Sequence, residues 1–247
     1  MELKDFFERH SEVAVAFSGG VDSAYLLYAA RKYAKKVCAY YVKSEFQPKF
    51  ELDDAVRLAE ELGTELKIID VEILSVQGVK ENPADRCYYC KKAIFSEIVR
   101  AAEADGFGIL VDGTNASDDE GDRPGFRALR ELAVVSPLRE CGLSKAEVRR
   151  LSKAAGLFTW DKPAYACLAT RIPTGAEITA EKLVATEKSE EFLSSLGFRD
   201  FRIRMQGKTA KLQLCESQFM LLLENREKIL EYLKKYYDSV VLELEGR

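Results

Sequence analysis

Apolar and polar positions follow two rhythms along the chain. Leu3 to Arg9 has the spacing of a short amphipathic helix, and Val13 to Phe17 is an unbroken apolar run that predicts a buried strand. Ala24 to Tyr33, rich in Ala, Leu and Tyr, predicts a helix, and Lys36 to Val42 a second strand. Leu52, Ala55, Val56, Ala59 and Leu62 recur at helical spacing, and Gly63 ends that helix. A third strand is predicted over Glu65 to Val71, a helix over Lys91 to Asp105 and a fourth strand over Gly108 to Val111. Ser144, with Glu147 three residues on, forms a capping box for a helix that Gly156 stops. Strands alternating with helices predict an α/β fold, a doubly wound parallel sheet with its ligand at the carboxyl ends of the strands. After Ile178 the rhythm changes. Thr179 caps a helix to Leu196, two short strands flank the Gln206-Gly207-Lys208 turn, Ser217 caps a long helix to Tyr237, and Val240 to Leu244 is a last strand. That order predicts a small C-terminal α+β domain, with a boundary near Pro173-Thr174-Gly175 and domains at 1–173 and 174–247.

Between the first strand and its helix lies Ala16-Phe17-Ser18-Gly19-Gly20-Val21-Asp22-Ser23. Two glycines allow a tight turn and bring backbone N–H groups close to a ligand. Ser23 is placed to cap the helix, whose free N–H groups and positive dipole end favour an anion. The string lacks the Gly-Lys-Ser/Thr ending of the common P-loop and the third glycine of a dinucleotide fingerprint. It resembles the loop of the PP-loop ATP pyrophosphatases, an adenine nucleotide alpha hydrolase-like fold. That resemblance implies ATP with Mg²⁺, its β- and γ-phosphates held by the loop, and release of pyrophosphate.

Net charge is −4 over 247 residues, so no bulk field draws the chain to nucleic acid or to an anionic membrane. The charged start shows no signal peptide, no apolar run is long enough to span a bilayer, and a cytoplasmic protein is expected. The single histidine, His10, falls in the first helix on a side expected to face solvent. Histidine-based acid–base or metal chemistry is therefore nearly excluded. Six cysteines in a reducing compartment point to metal or catalytic use rather than to disulfides.

Cys87 and Cys90 flank Tyr88-Tyr89 in an expected loop at a helix start, beside Lys91 and Lys92. The spacing suits a metal ion or an Fe–S cluster, and the helix end and lysines would lower the thiol pKa values. A redox pair and two ordinary helix-start cysteines are the alternatives. Cys167 sits among small residues between Pro163 and Pro173, near Arg171, which could stabilise a thiolate or a phosphate. Together the three thiolates could hold three irons of a [4Fe–4S] cluster and leave the fourth free to carry a sulfide. Cys38, Cys141 and Cys215 carry no such signal. The loop after the fourth strand, Asp112-Gly113-Thr114-Asn115-Ala116-Ser117-Asp118-Asp119, lies beside the first loop in a doubly wound sheet and could meet ribose, phosphate or Mg²⁺. Arg123 and Arg127 add cations next to it. Ser44, after the second strand, is placed for adenine. Arg202 and Arg204 alternate on one strand, so they share a face that suits a phosphate-bearing substrate or, alternatively, simply meets solvent.

These segments together resemble the LarE family, ATP-dependent sulfur transferases of nickel-pincer nucleotide cofactor synthesis, over nearly the whole chain. The resemblance implies that a carboxylate of pyridinium-3,5-biscarboxylate mononucleotide attacks the α-phosphate of ATP. Pyrophosphate leaves, and a sulfur nucleophile displaces AMP to give a thiocarboxylate. It implies nucleotide contacts at Ala16, Phe17, Ser18, Gly19, Gly20, Asp22, Ser23, Ser44, Gly113, Thr114 and Asn115. It implies substrate contacts at Arg123, Arg171, Glu190, Arg202 and Arg204. Catalysis would fall to Cys167, either as a sacrificed sulfur source or, with Cys87 and Cys90, as a ligand of a [4Fe–4S] cluster. The partners implied are a small nucleotide substrate, a sulfide or other sulfur donor and further copies of the chain, with no membrane and no nucleic acid. Gln206 departs from the family, standing where its Arg-rich strand motif has a histidine. Two other functions share the same residues: a PP-loop tRNA thiolation enzyme with a cluster, and a non-enzymatic nucleotide-binding Fe–S sensor.

Overall fold

The computed structural model of the chain describes residues 2–118 and 124–245. The chain forms two compact units, Met1–Gln77 with Asp85–Lys162 and Gly78–Ala84 with Pro163–Arg247. The chain thus passes to the second unit between Lys162 and Pro163, and Pro173 lies inside that unit. Gly78–Ala84 belongs there because Asn82, 2% exposed, donates its side-chain amide to the carbonyls of Pro173 (2.8 Å) and Ala176 (3.2 Å). Gly175 N and Ile178 N return bonds of 2.8 Å each to Asn82 O and Lys80 O.

The first unit runs α1 (Leu3–Arg9), β1 (Glu12–Ala16), α2 (Val21–Tyr33), β2 (Lys36–Lys43), α3 (Lys49–Glu61), β3 (Glu65–Asp70), α4 (Arg86–Ala104), β4 (Leu110–Val111), α5 (Pro124–Glu131), α6 (Pro137–Glu140) and α7 (Lys145–Ala154). Its four strands are parallel in the order β3-β2-β1-β4. Strand periodicity sends Val13 and Val15 to one face, where they pack with residues of α1, α2 and α3. Ala14 and Ala16 turn to the other face, against Cys38 and Tyr40 of β2 and Ile98 and Ala102 of α4. The sheet is therefore covered on both sides, as the α/β alternation predicts. Strand order reverses between β1 and β4, so the loops leaving these two strands open a crevice at one end of the sheet.

The second unit carries α8 (Ala180–Ser195), β5 (Arg202–Gln206), β6 (Thr209–Gln213), α9 (Phe219–Glu224), α10 (Arg226–Leu233) and β7 (Ser239–Leu242). β5 and β6 form an antiparallel hairpin, and β7 adds to β6 in parallel. Ile203, Leu212, Ile229 and Leu233 are at its core. The long helix expected from Ser217 is instead a 3₁₀ turn, Glu216–Gln218, followed by α9 and α10. The break falls at Asn225, where the backbone leaves helical geometry (φ −104°, ψ 8°) and both the side-chain amide (3.0 Å) and the backbone N (3.2 Å) donate to Leu221 O. His10 is half-buried, its ring 4.7 Å from that of Phe6, rather than turned to solvent. Among the described residues no helix is long and apolar enough to cross a membrane.

Candidate functional site

The turn after β1 begins the site. Gly19 takes φ +70°, a conformation that favours glycine, and α2 starts at Val21 with Gly20 as its cap residue. Ser23 is therefore not the cap. It lies in the first turn, where its Oγ donates to Gly20 O (3.2 Å), accepts from Ser18 N (3.3 Å) and meets Ser18 Oγ at 3.1 Å. No side chain caps α2, which leaves the N–H groups of its first turn facing the crevice for an anion.

The loop after β4 closes on this turn. A Cβ at Gly113 would lie 2.8 Å from Ser23 N and 3.1 Å from Ser23 Cα, so only glycine lets the two loops approach this closely. Asp112 holds the loop's shape. Its carboxylate accepts from Thr114 Oγ1 and Ser136 Oγ, each at 2.6 Å. Asn115, 2% exposed, accepts from Ser117 N at 2.8 Å and shapes the turn. A pocket of about 230 Å³ lies between the loops, lined by Ser18, Gly20, Asp22, Ser23, Asp112, Gly113, Thr114 and Asp118 together with Ala16 and Phe95. A second pocket of about 120 Å³ shares Ala16, Ser18 and Phe95 with it. Phe17, Tyr40, Val42, Gln47, Ile94 and Ile98 make that one mostly apolar. Ser44 lies outside this lining; its Oγ donates to Gln47 Oε1 at 2.6 Å and accepts from Phe46 N at 3.2 Å.

Two cations that motif reading missed flank the cradle. Lys145 opens α7, whose Ser144–Glu147 capping box forms as predicted, and its Nζ donates to Asp22 Oδ2 at 2.5 Å. Lys162 Nζ donates to Gly19 O at 3.4 Å and pairs with Asp54 at 2.7 Å. Both lie more than a hundred residues downstream of the loop; the capping box marked the neighbourhood of Lys145, and Lys162 adjoins the stretch singled out around Cys167, but neither side chain was given a role at the turn. Burial raises the Asp22 carboxyl above the usual carboxylate range, and Lys145 opposes that rise. Asp22 Oδ1 is buried with no hydrogen-bond partner. An orphaned carboxylate oxygen at a phosphate-sized pocket has the donor chemistry of a Mg²⁺ ligand.

Cys87 and Cys90 lie inside α4 rather than in a loop, because nothing after Pro83 interrupts the helical pattern and the chain coils from Arg86. One turn apart, they share a helix face, with Cys87 exposed and Cys90 half-buried. Arg86 approaches Cys87 Sγ at 3.6 Å. The two lysines turn elsewhere: Lys92 donates to Glu131 (2.8 Å) and Tyr88 (3.0 Å), and Lys91 lies 5.3 Å from the Phe126 ring centroid. All six cysteines are free thiols. Among the described residues no three His, Cys, Asp or Glu side chains are gathered around one point as metal ligands. The thiol chemistry of Cys87, Cys90 and Cys167 is nevertheless that of Fe–S ligands.

In the second unit Cys167 is half-buried and opens a 3₁₀ turn, Leu168–Arg171. Its carbonyl accepts from Thr170 N (3.0 Å) and Thr170 Oγ1 (2.8 Å). Arg171, 1% exposed, meets Glu190 through Nε (2.8 Å) and Nη2 (3.1 Å). Burial disfavours the Arg171 charge, but the Glu190 carboxylate outweighs it and holds the guanidinium pKa above its ordinary value. Breaking a buried pair of this kind costs about 3–5 kcal/mol. Arg202 and Arg204 do share a face of β5, yet that face is not simply solvated. Arg202 donates to Ala164 O and Arg204 to Thr170 O. Arg123, among the expected substrate contacts, and Asp119 lie outside the described residues.

A parallel sheet with a Gly-rich turn at its switch point and a polar pocket joined to an apolar one defines a PP-loop nucleotide-binding protein. The family profile described as queuosine biosynthesis protein QueC matches residues 12–82. The chain is 34% identical over 218 residues to the pyridinium-3,5-bisthiocarboxylic acid mononucleotide synthase of Lactiplantibacillus plantarum, covering 87% of this chain and 78% of that protein. It is 33% identical over 249 residues to an uncharacterized protein of Synechocystis sp., covering 99% and 92% respectively. A tRNA-specific 2-thiouridylase MnmA of Thermotoga sp. is 28% identical over 191 residues, which span 59% of this chain and 52% of that protein. The chain belongs to the LarE family of the PP-loop superfamily.

Proposed function

We propose that the protein is an ATP-dependent sulfur transferase acting on pyridinium-3,5-biscarboxylate mononucleotide. The observation that carries this reading is the cradle formed by residues 18–23 and Gly113, opening on a polar pocket joined to an apolar one. The family relationship supplies the substrate class. The apolar pocket takes the adenine ring, and the polar one takes the phosphates on the free N–H groups of α2. Asp22, through its orphaned oxygen, would hold Mg²⁺, which would supply positive charge to offset that of the phosphates. Lys145 and Lys162 add positive charge at the rim of the cradle, where charge shifts onto the departing pyrophosphate. A carboxylate oxygen of the acceptor attacks the α-phosphorus and the bond to the β-phosphate oxygen breaks, giving an acyl-adenylate and pyrophosphate. A sulfur nucleophile then adds to the acyl carbon, and AMP leaves.

Cys87, Cys90 and Cys167 are the residues that would hold a [4Fe–4S] cluster, which supplies, when bound, a fourth iron not held by protein where a sulfide can sit. The chain's own part is to present these thiols: one turn of α4 sets the first two on one helix face, and the 3₁₀ turn after Cys167 holds the third.

The test is nucleotide analysis after incubation with ATP, Mg²⁺ and the dicarboxylate mononucleotide. AMP and pyrophosphate in equal amounts, formed only with the acceptor present, are expected. Formation of ADP and phosphate, or ATP binding with no cleavage as in a sensor, would contradict the reading. Cleavage driven by tRNA and not by the mononucleotide would move the protein to the thiouridylases.

A further inference from the structure

The Cys167 loop is fastened to its own unit by four charged side chains. Glu190, 5% exposed on α8, accepts from Arg171 Nε (2.8 Å), Tyr165 Oη (2.6 Å) and the backbone N of Ile203 in β5 (2.9 Å). One carboxylate thus joins the residue two before Cys167, the residue four after it, α8 and β5. Arg171 also donates from Nη1 to Ala166 O at 3.1 Å and to Thr170 Oγ1 at 2.9 Å. Arg202 reaches Ala164 O on one side of Cys167, and Arg204 reaches Thr170 O on the other. The Tyr165 ring lies 4.6 Å from the Arg171 guanidinium and 5.2 Å from that of Arg202. Each of these cations donates at least one bond to the backbone that carries the thiol, and Arg204 is also held through Nε by Gln213 Oε1 at 2.9 Å.

We propose that Glu190, with Arg171, Arg202 and Arg204, positions Cys167 by clamping residues 164–171. Its functional meaning rests on Cys167 serving sulfur transfer, whereas its test does not, because the thiol is read without nucleotide or acceptor. A held loop keeps Cys167 half-buried in one geometry; a released loop samples open states in which the thiol meets solvent.

The experiment is alkylation of the reduced full chain by iodoacetamide, followed peptide by peptide by mass spectrometry. Glu190→Gln and Arg204→Gln are compared with the unaltered chain, and Cys87 and Cys90 in the same sample serve as references. Cys167 is expected to react about tenfold faster in Glu190→Gln and by a smaller factor in Arg204→Gln, with the reference thiols unchanged. Arg204→Lys, which keeps one donor for Thr170 O, is expected to return the rate toward that of the unaltered chain. Unchanged or slower Cys167 alkylation in both variants would overturn the proposal. Should Glu190→Gln fail to fold, the Arg204 pair decides alone. Failure of acceptor-dependent pyrophosphate release in the unaltered chain would count against the proposed function and leave the clamp standing.

Discussion

Gly113→Ala is the sharpest probe of the cradle. The added carbon would sit 2.8 Å from Ser23 N, 3.1 Å from Ser23 Cα and 3.2 Å from the carbonyl carbon of Asp22. All three are backbone atoms of the first turn of α2, so no side chain can swing away to make room. Restoring ordinary contact at 3.4 Å requires the two loops to part by about 0.6 Å, the difference between 3.4 and 2.8 Å. Overpacking of this kind costs about 1–3 kcal/mol. For a chain of this size that lowers Tm by roughly 2–12 °C. The N–H groups that would meet the phosphates move with α2, and a displacement of about 1 Å in a positioned site costs on the order of a hundredfold. ATP affinity, measured by titration calorimetry, is expected to fall by about ten- to a hundredfold. A variant with an unaltered Tm and unaltered ATP affinity would refute the cradle as described.

Three further outcomes follow from the same geometry. The folded chain raises the Asp22 pKa and so binds that proton more tightly than the unfolded chain. The resulting stability is complete below pH 3.8 and is lost as pH rises through the folded pKa. The Tm of the unaltered chain minus that of Asp22→Asn should therefore be larger near pH 3.8 than at neutral pH; a difference that does not vary with pH would contradict this. Ser144→Ala removes the cap of α7, costing about 1 kcal/mol and roughly 2–4 °C in Tm by calorimetry. Protein purified without oxygen should carry about four irons with broad visible absorption, both lost in Cys87→Ala. A colourless, iron-free protein would instead leave Cys167 as the sulfur source, seen as loss of one H₂S from its mass after a single turnover.

What could be read from the sequence was what short stretches of chain decide for themselves. The Ser144–Glu147 capping box, the Thr179 cap and the hairpin at Gly207 all form where local chemistry places them. The Ser18–Ser23 turn was legible for the same reason, although Gly19's positive φ moved the helix start to Val21 and took the capping role from Ser23. The C-terminal helix breaks at Asn225, a departure in local backbone geometry that periodicity does not register. The place of Lys145 and Lys162 at the turn was missed because folding, not spacing, brings them there across 123 and 143 residues. Spacing along α8 gives Glu190 no distinction, and only the family resemblance singled it out. Its burial depends on Arg171 and Tyr165, which no pattern within α8 reveals.

The central claim is that this chain exchanges an acceptor carboxylate oxygen for sulfur with ATP as the activator. Mass spectrometry of pyridinium-3,5-biscarboxylate mononucleotide, after incubation with the anaerobic protein, ATP, Mg²⁺ and sulfide, tests it most directly. The account predicts a gain of roughly 16 Da for each carboxylate converted, one oxygen replaced by one sulfur, matched by AMP and absent without ATP. An unchanged acceptor mass while ATP is still cleaved to AMP would contradict it.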